Sequence, residues 1–289
     1  MGNIIKRPYR CLCDFTRIYD FMVRNYTLDC KNGCMPPFFE YAQQMHWSEK
    51  TQNHRFAVWE EDGNVVAFCW YESSIGEAYF NFANGFEFLI PEMIRHAEQR
   101  LANDSGNIKL QLYRSQTVLL EEAIKQGYIV EKQYNEGILP LEKITLEESL
   151  PDGYVFEKAG VYDVEKMIEA TWRGFGNSGE PTGGVERGRH LHAAPNATPE
   201  LDVVVKTIGG EYVCFAGMWW VPQVKLAYLE PFCTVPEHRG KGIGKAALTE
   251  MARRVSKLGA THMTGGDHPF YFNLGYEPVI ERLVLKKQK

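Results

Sequence analysis

A glycine-rich turn with basic side chains carries the most evident chemistry of this sequence. It follows an apolar run that ends near Val235 and precedes an amphipathic stretch, so the pattern predicts a strand, a turn and the start of a helix. Unpaired N–H groups at a helix N-terminus bind oxyanions, and glycine lets a phosphate approach the backbone without a Cβ in the way. A phosphate-bearing ligand is therefore predicted at Arg239-Gly240-Lys241-Gly242-Ile243-Gly244-Lys245.

The spacing of these glycines excludes two familiar phosphate-binding motifs. It matches neither the dinucleotide pattern GxGxxG nor the pattern GxxxxGK followed by Ser or Thr. Three cations, Arg239, Lys241 and Lys245, stand at the same helix start. A cation there opposes the helix macrodipole by about 0.3–1 kcal/mol unless an anion joins it. An anionic ligand is the economical explanation.

Two motifs in the last third of the chain resemble those of a known family. The pattern Arg-x-x-Gly-x-Gly at residues 239–244, between strand and helix, resembles the coenzyme A signature of the GNAT (GCN5-related) N-acetyltransferases. The segment PFYFNLGYEP, residues 269–278, looks like the second hallmark of that family, a tyrosine four residues before a glycine–aromatic pair. Here those residues are Tyr271, Gly275 and Tyr276.

The resemblance implies a ligand and its binding residues. In that family, backbone groups of the strand before the turn bind the pantetheine arm of coenzyme A, and the turn binds its pyrophosphate, so acetyl-CoA is the expected donor. One departure is Thr264, where the family often has an asparagine that assists the cofactor. The residues implied are Phe232, Cys233 and Thr234 for the pantetheine arm, and Arg239, Gly240, Lys241, Gly242, Ile243, Gly244 and Lys245 for the phosphates.

Acetyl transfer from a thioester to an amine needs a deprotonated amine, a polarised carbonyl and a proton for the departing thiolate. The resemblance implies Tyr271 as the general acid; a core tyrosine with a capped hydroxyl is the alternative. Glu230 is the candidate general base, because a carboxylate in an apolar run is costly to bury without a task or a partner. Its alternatives are an ion pair or a side chain that faces solvent.

Other reactive side chains have weaker patterns. Cys233 lacks a nearby His partner in sequence, so an inert buried thiol is favoured over an acyl-enzyme nucleophile. The histidines at 190, 192, 262 and 268 do not have metal-ligand spacing and are expected to be solvated or hydrogen-bonded. No Cys-x-x-Cys occurs among the cysteines at 11, 13, 30 and 34, so no metal is expected.

The chain repeats itself once. Residues 56–70 and 203–219 both read as a hairpin, and their turn glycines, Gly63 and Gly210, lie 147 positions apart. Each half then shows a third strand, a helix, a strand, a short helix and a last strand, after a leading strand and helix. This order predicts a mixed α/β fold. With the resemblance, it implies two tandem GNAT-like domains, each with a mixed, mostly antiparallel central sheet flanked by helices.

The domains are expected at 1–145 and 150–289, joined by a polar surface linker at 142–152 that contains Pro151. Long segments at 28–54 and 175–200 are expected to be lids or binding loops, or merely tolerated insertions. The predicted helices are 14–26, 91–102, 117–126, 161–175, 244–258 and 268–274.

The first half lacks the chemistry of the second. In the repeat, Asn81 stands opposite Glu230 and Ala123 stands opposite Tyr271. In place of the glycine-rich turn there are acidic residues at 87 and 92, which would repel a diphosphate. The first domain is therefore expected to keep the fold without the cofactor and to act structurally, and the second to be catalytic.

Composition narrows the function further. A net charge of −5 over 289 residues gives no reason to expect a nucleic acid or a membrane as partner, and no apolar segment reaches membrane-spanning length. Seven scattered cysteines and the lack of a signal peptide favour a cytoplasmic protein with reduced thiols. The protein is expected to be a monomer or a homodimer.

The sequence predicts an N-acetyltransferase that moves an acetyl group from acetyl-CoA to a primary amine of a small molecule or peptide. The alternatives are a non-enzymatic acyl-CoA-binding or sensing module, and an acyltransferase that uses another acyl donor.

Overall fold

The computed structural model describes residues 2–143, 149–182 and 186–288. The chain divides into two compact units. One contains Met1–Gln43, Trp47–Glu136 and Pro278–Lys289, and the other contains Gln44–His46 and Gly137–Glu277. Residues 144–148 of the expected linker lie outside the described residues, so the domain boundary between 145 and 150 stays a prediction.

The described residues form twelve strands and eight helices, in an order that contains the repeated pattern. The strands are β1 (Ile4–Pro8), β2 (Ala57–Glu61), β3 (Asn64–Trp70), β4 (Glu77–Phe82), β5 (Lys109–Tyr113), β6 (Tyr128–Pro140), β7 (Tyr154–Phe156), β8 (Val203–Thr207), β9 (Tyr212–Val221), β10 (Leu226–Thr234), β11 (His262–Thr264) and β12 (Glu277–Lys287). The helices are α1 (Cys11–Arg24), α2 (Pro36–Gln44), α3 (Ile90–His96), α4 (Thr117–Lys125), α5 (Val164–Gly174), α6 (Glu186–His192), α7 (Ile243–Ser256) and α8 (Pro269–Asn273).

The first unit is built on strands in the order β1-β2-β3-β4-β5-β12. The pair β4–β5 is parallel and the other pairs are antiparallel. The repeat assigns the last strand, β12, to the second half of the chain, whereas the structure pairs its residues Arg282–Lys286 with Tyr113–Lys109 of β5. A distant strand therefore completes the sheet of the first unit.

The second unit uses the end of β6 and then β11-β10-β9-β8-β7. Here β10 and β11 are parallel, and the other pairs are antiparallel. The register of β10 against β9 shifts between Leu229 and Phe232, so β10 bulges at Glu230 and Pro231. A bulge re-aims the side chains of a strand. Both units therefore have the predicted mixed α/β architecture, with mostly antiparallel strands and flanking helices.

Helix α7 covers one face of the sheet in the second unit. Its apolar stripe, including Leu248, Met251 and Val255, is fully buried against β8, β9 and β10, as the sequence predicts. The helix ends at Ser256, so Leu258, predicted in the same stripe, is 50% exposed. Gly259 follows with a left-handed φ of +88°, which suits its predicted role as a helix stop.

Five of the six predicted helices are confirmed to within three residues at each end. The sixth, 91–102, is α3 followed by a π-helical segment at Ala97–Leu101. Two further helices are not predicted. The segments 28–54 and 175–200 contain α2 and α6, where only long loops were predicted. Among the described residues, none of the helices combines the length and apolar character that crossing a membrane would need.

Candidate active site

A cleft of about 560 Å³ lies where β10 ends and α7 begins. It gathers most of the residues that the sequence singled out, although they come from two separate motifs. Glu230 and Lys241 are not among its lining residues. The lining residues are Gly174, Phe232, Cys233, Thr234, His238, Arg239, Gly240, Gly242, Ile243, Gly244, Lys245, His268, Phe270 and Tyr271.

The turn before α7 depends on glycine because of its backbone conformation. Gly242 is the N-cap residue of α7 and has φ +83°, and Gly240 has φ +74°. No heavy atom lies within 4 Å of a Cβ built at either position, so the left-handed backbone, rather than crowding, demands glycine. The N-cap has no side chain to occupy the first N–H groups of the helix.

Gly244 serves a different purpose inside the first turn of α7. A Cβ at this position would lie 3.2 Å from Cζ of Phe232 and 3.4 Å from Cζ of Phe270. These two rings stack with their centroids 5.8 Å apart. The absence of a side chain therefore lets the helix start lie close to the aromatic wall of the cleft.

Arg239 fixes the turn to its surroundings. Its Nε donates a hydrogen bond to the Thr234 carbonyl oxygen at 2.9 Å, and an Nη donates to the Gly174 carbonyl oxygen at 2.6 Å. The guanidinium thus joins the turn to the end of β10 and the end of α5. This structural role stands beside the phosphate-binding role that the resemblance implies.

A second polar group beside the cleft includes a residue that the sequence reasoning did not select. The Tyr154 hydroxyl lies 2.9 Å from Nδ1 of His238, and Nζ of Lys241 donates to the same hydroxyl at 3.3 Å. His268 also lines the cleft, and its Nδ1 caps α8 by accepting from the Phe270 N–H at 3.1 Å. His238 directly precedes Arg239 in the sequence, and this position beside the glycine-rich turn is the feature that could have identified it as a site residue.

These residues fit a ligand that carries a pyrophosphate. The cleft offers uncapped helix N–H groups, a glycine turn without Cβ atoms and cationic side chains at one end. Phe232 and Tyr271 belong to its aromatic wall. A polyanionic head and a less polar arm therefore both find matching groups in the cleft.

Tyr271 lies in the aromatic wall of the cleft. Its ring packs against Phe232, Phe270 and Tyr276, with centroids 6.1, 5.5 and 5.2 Å away. Burial raises the pKa of its phenol above the ordinary value, and the negative charge of Glu230 acts in the same direction. The hydroxyl therefore keeps its proton at neutral pH.

Cys233 lies beside the same cleft but has the character of an inert thiol. It is 5% exposed, and burial raises the pKa of the thiol to about 12. Its Sγ faces the Ala170 carbonyl oxygen at 3.9 Å. Since the thiolate is the nucleophilic form, this environment opposes an acyl-enzyme route.

Glu230 occupies the bulge of β10 and lines a smaller chamber. Its carbonyl oxygen accepts a hydrogen bond from Nε1 of Trp219 at 2.9 Å. A Cβ at Gly217 would lie 2.7 Å from the same oxygen, so glycine is needed there for the close approach of β9. The buried Thr264 hydroxyl accepts from the Leu229 N–H at 2.8 Å and supports the bulge from β11.

In the first unit, the residue that corresponds to Glu230 is Asn81, a buried side chain that is hydrogen-bonded within the unit. Asn81 is 3% exposed, donates to the Cys34 carbonyl oxygen at 3.0 Å and accepts from Nε1 of Trp70 at 3.3 Å. Ala123, opposite Tyr271, is fully buried. The helix after β4 begins at Ile90-Pro91 without glycine. These contacts are consistent with a structural role for the first domain, which stays a prediction.

One family model matches part of the chain. Residues 164–276 match the family model described as the Acetyltransferase (GNAT) family. A search of curated proteins found no match.

Solved structures of similar fold cover nearly the full length. A GCN5-related N-acetyltransferase from Sphaerobacter thermophilus is 17% identical with a TM-score of 0.60, and covers 98% of this chain and 95% of its own. A tandem GNAT protein from the clavulanic acid biosynthesis pathway is 11% identical with a TM-score of 0.63, and covers 98% of both chains. An acetyltransferase of the GNAT family from Colwellia psychrerythraea is 12% identical with a TM-score of 0.65, and covers 98% of this chain and 100% of its own. The predicted resemblance is thus confirmed: residues 164–276 match the model of the GNAT acetyltransferase family, and the chain has the fold of solved tandem GNAT proteins.

Proposed function

We propose that this chain is an N-acetyltransferase that moves an acetyl group from acetyl-CoA to a primary amine of a small molecule or peptide. The second unit carries the reaction, and the amine attacks the donor directly. The observation that supports this most strongly is the cleft itself, in which the glycine turn, the end of β10 and Tyr271 come together.

The binding roles follow from the groups that line the cleft. The N–H groups at the start of α7, with Arg239 and Lys245 beside them, bind the phosphates. Backbone groups of Phe232, Cys233 and Thr234 bind the pantetheine arm. When bound, acetyl-CoA supplies an acetyl group activated as a thioester.

Two side chains handle the protons. An amine is largely protonated at neutral pH, so its nitrogen loses two protons on the way to an amide, and Glu230, in the bulge of β10, accepts one of them directly or through water. Tyr271 holds a phenolic proton beside the cleft and offers it as a hydrogen bond where the thiolate departs. Cys233 takes no covalent part because its thiol stays protonated.

Two measurements test the proposal in sequence. Isothermal titration of the full chain with acetyl-CoA is expected to show binding that Gly242→Val weakens. A panel of primary amines is then assayed for release of free thiol and for acetylated product, with loss of product in Glu230→Gln. Binding without turnover on any amine would favour the non-enzymatic sensor, and tighter binding of a longer acyl-CoA would favour another donor.

A further inference from the structure

A small chamber of about 20 Å³ lies beside the bulge of β10. One water molecule needs roughly 10–15 Å³ on this measure, so the chamber holds a group of about that size and not a whole substrate. Its walls mix apolar side chains with five ionisable or hydroxyl side chains, which include the hydroxyl of Thr198. Among the lining residues are Tyr162, His192, Asp202, Phe215, Trp219 and Glu230.

Three of these side chains form a hydrogen-bonded chain. The Tyr162 hydroxyl lies 2.6 Å from Nε2 of His192 and donates to Oδ2 of Asp202 at 2.5 Å. The other carboxylate oxygen, Oδ1, accepts from the Met218 N–H of β9 at 2.8 Å. Asp202 is 8% exposed, so the chain ends on a buried carboxyl group that is held in place at both oxygens.

The surroundings of Asp202 make this carboxyl group easy to protonate. Burial raises its pKa to about 7, and the nearby charge of Glu200 acts in the same direction. The hydrogen bonds from Tyr162 and Met218 and the charge of Arg254, which donates to the Asp202 carbonyl oxygen at 2.6 Å, act in the opposite direction.

Besides Tyr162 and Asp202, the ionisable groups that line the chamber are His192 and Glu230. Burial lowers the pKa of His192, which favours its neutral ring. At neutral pH the chain therefore has room for one proton, while the carboxylate of Glu230 lines the same space. A small cation suits such a chamber and an anion does not.

Resting on the proposed function, we propose that this chamber receives the primary ammonium group of the acceptor and that the chain His192–Tyr162–Asp202 takes one proton from it. The size of the chamber admits an –NH₃⁺ group and excludes a quaternary ammonium. The two carboxylates, Asp202 and Glu230, supply the attraction.

The proton is accounted for at each step. An N–H bond of the ammonium breaks, its electron pair stays on nitrogen, and the proton binds the imidazole nitrogen of His192 that does not face Tyr162. The Nε2 proton of His192 then passes to the Tyr162 oxygen, and the hydroxyl proton of Tyr162 passes to Asp202. The result is a neutral amine, a neutral imidazole and a protonated carboxyl group.

Binding is tested without any need for turnover. The full chain is labelled with ¹⁵N-histidine, and the signals of His192 are assigned by comparison with His192→Gln. We expect n-butylammonium chloride at millimolar concentration to shift these signals saturably, tetramethylammonium chloride not to do so, and Asp202→Asn to abolish the response. No saturable shift with n-butylammonium, or an equal response to both cations, overturns the proposal.

Proton uptake is tested with the best amine of the panel. Tyr162→Phe is expected to lower kcat/KM by about 10- to 100-fold at pH 7, and the deficit is expected to shrink as the pH approaches the pKa of the amine, near 10. Tyr212→Phe is the matched control, because its hydroxyl also binds a carboxylate, that of Glu157, but does not line the chamber. A deficit that is the same at every pH indicates a merely structural role and contradicts the proposal.

The two proposals can fail separately. If acetyl-CoA binds but no amine is acetylated, the proposed transfer reaction is wrong, and the histidine spectra still decide whether the chamber binds an ammonium group. If amines are acetylated with an unchanged pH profile in Tyr162→Phe, the reaction stands and the chamber proposal falls.

Discussion

Replacing Asp202 by asparagine should change how the stability of the protein depends on pH. The carboxyl group is buried between Tyr162 and Met218, and its pKa is raised from the ordinary 3.8 to about 7. Asparagine has nearly the same shape, and its carbonyl oxygen can still accept from the Met218 N–H. The variant therefore removes the titration while it keeps the contact to β9.

The sign and size of the effect follow from the two pKa values. Because the folded protein binds this proton more tightly than the unfolded chain does, the stabilisation is complete below about pH 4 and is lost as the pH rises towards 7. Between pH 5 and pH 7 this group lowers the free energy of unfolding of the wild type by about 2 kcal/mol. The asparagine variant lacks that loss, so its stability relative to the wild type should rise by the same amount.

Urea denaturation at several pH values, followed by tryptophan fluorescence, measures this difference directly. When the two proteins are compared at each pH, the other titratable groups contribute equally to both free energies of unfolding, provided that their pKa values do not depend on Asp202. Asp163→Asn is a matched control, since it replaces an exposed carboxylate that caps α5, and asparagine caps helices equally well. A stability difference between Asp202→Asn and the wild type that is constant from pH 5 to pH 7 refutes the reasoning.

Three further substitutions test the cleft. Tyr271→Phe should lower turnover by about 10- to 1,000-fold, with unchanged acetyl-CoA affinity by calorimetry, because it removes a proton donor and keeps the ring; unchanged turnover removes Tyr271 from the mechanism. Gly242→Val should weaken acetyl-CoA binding, since a β-branched residue resists φ +83° and covers the helix N–H groups; normal affinity in the same titration contradicts the phosphate site. Gly244→Ala should cost about 1 kcal/mol in urea denaturation, because its Cβ would lie 3.2 Å from the Phe232 ring, and no loss would show that the ring yields freely.

The parts of the fold that were predictable are those with local signals. The hairpins at 57–70 and 203–221 carry turn glycines between apolar runs, and α7 carries a long apolar stripe with glycine at both ends. The repeat supports the predicted order of elements, because the same hairpin and turn patterns recur in both halves of the chain. Local periodicity and turn chemistry therefore sufficed for most of the elements.

The missed features depend on contacts between distant residues. Helix α6 has only seven residues in a segment rich in Gly and Pro, and α2 has a weak apolar pattern that begins with two prolines. The partner of β12 is β5, more than 160 residues away, and no local pattern distinguishes it from a nearer strand. The chamber likewise joins Tyr162, His192 and Asp202 from three separate segments, so its chemistry becomes visible only after folding.

The proposed base, Glu230, and the proposed acid, Tyr271, influence each other's protonation. Burial raises the pKa of Tyr271, and the charge of Glu230 adds to this effect, so an ionised Glu230 favours the protonated phenol. The same interaction makes protonation of Glu230 favour ionisation of Tyr271. In the proposed mechanism, proton uptake by Glu230 at the bulge of β10 would therefore make Tyr271 a stronger acid when the departing thiolate needs a proton. One proton acceptor and one proton donor are the pair of groups that the proposed acid–base catalysis requires.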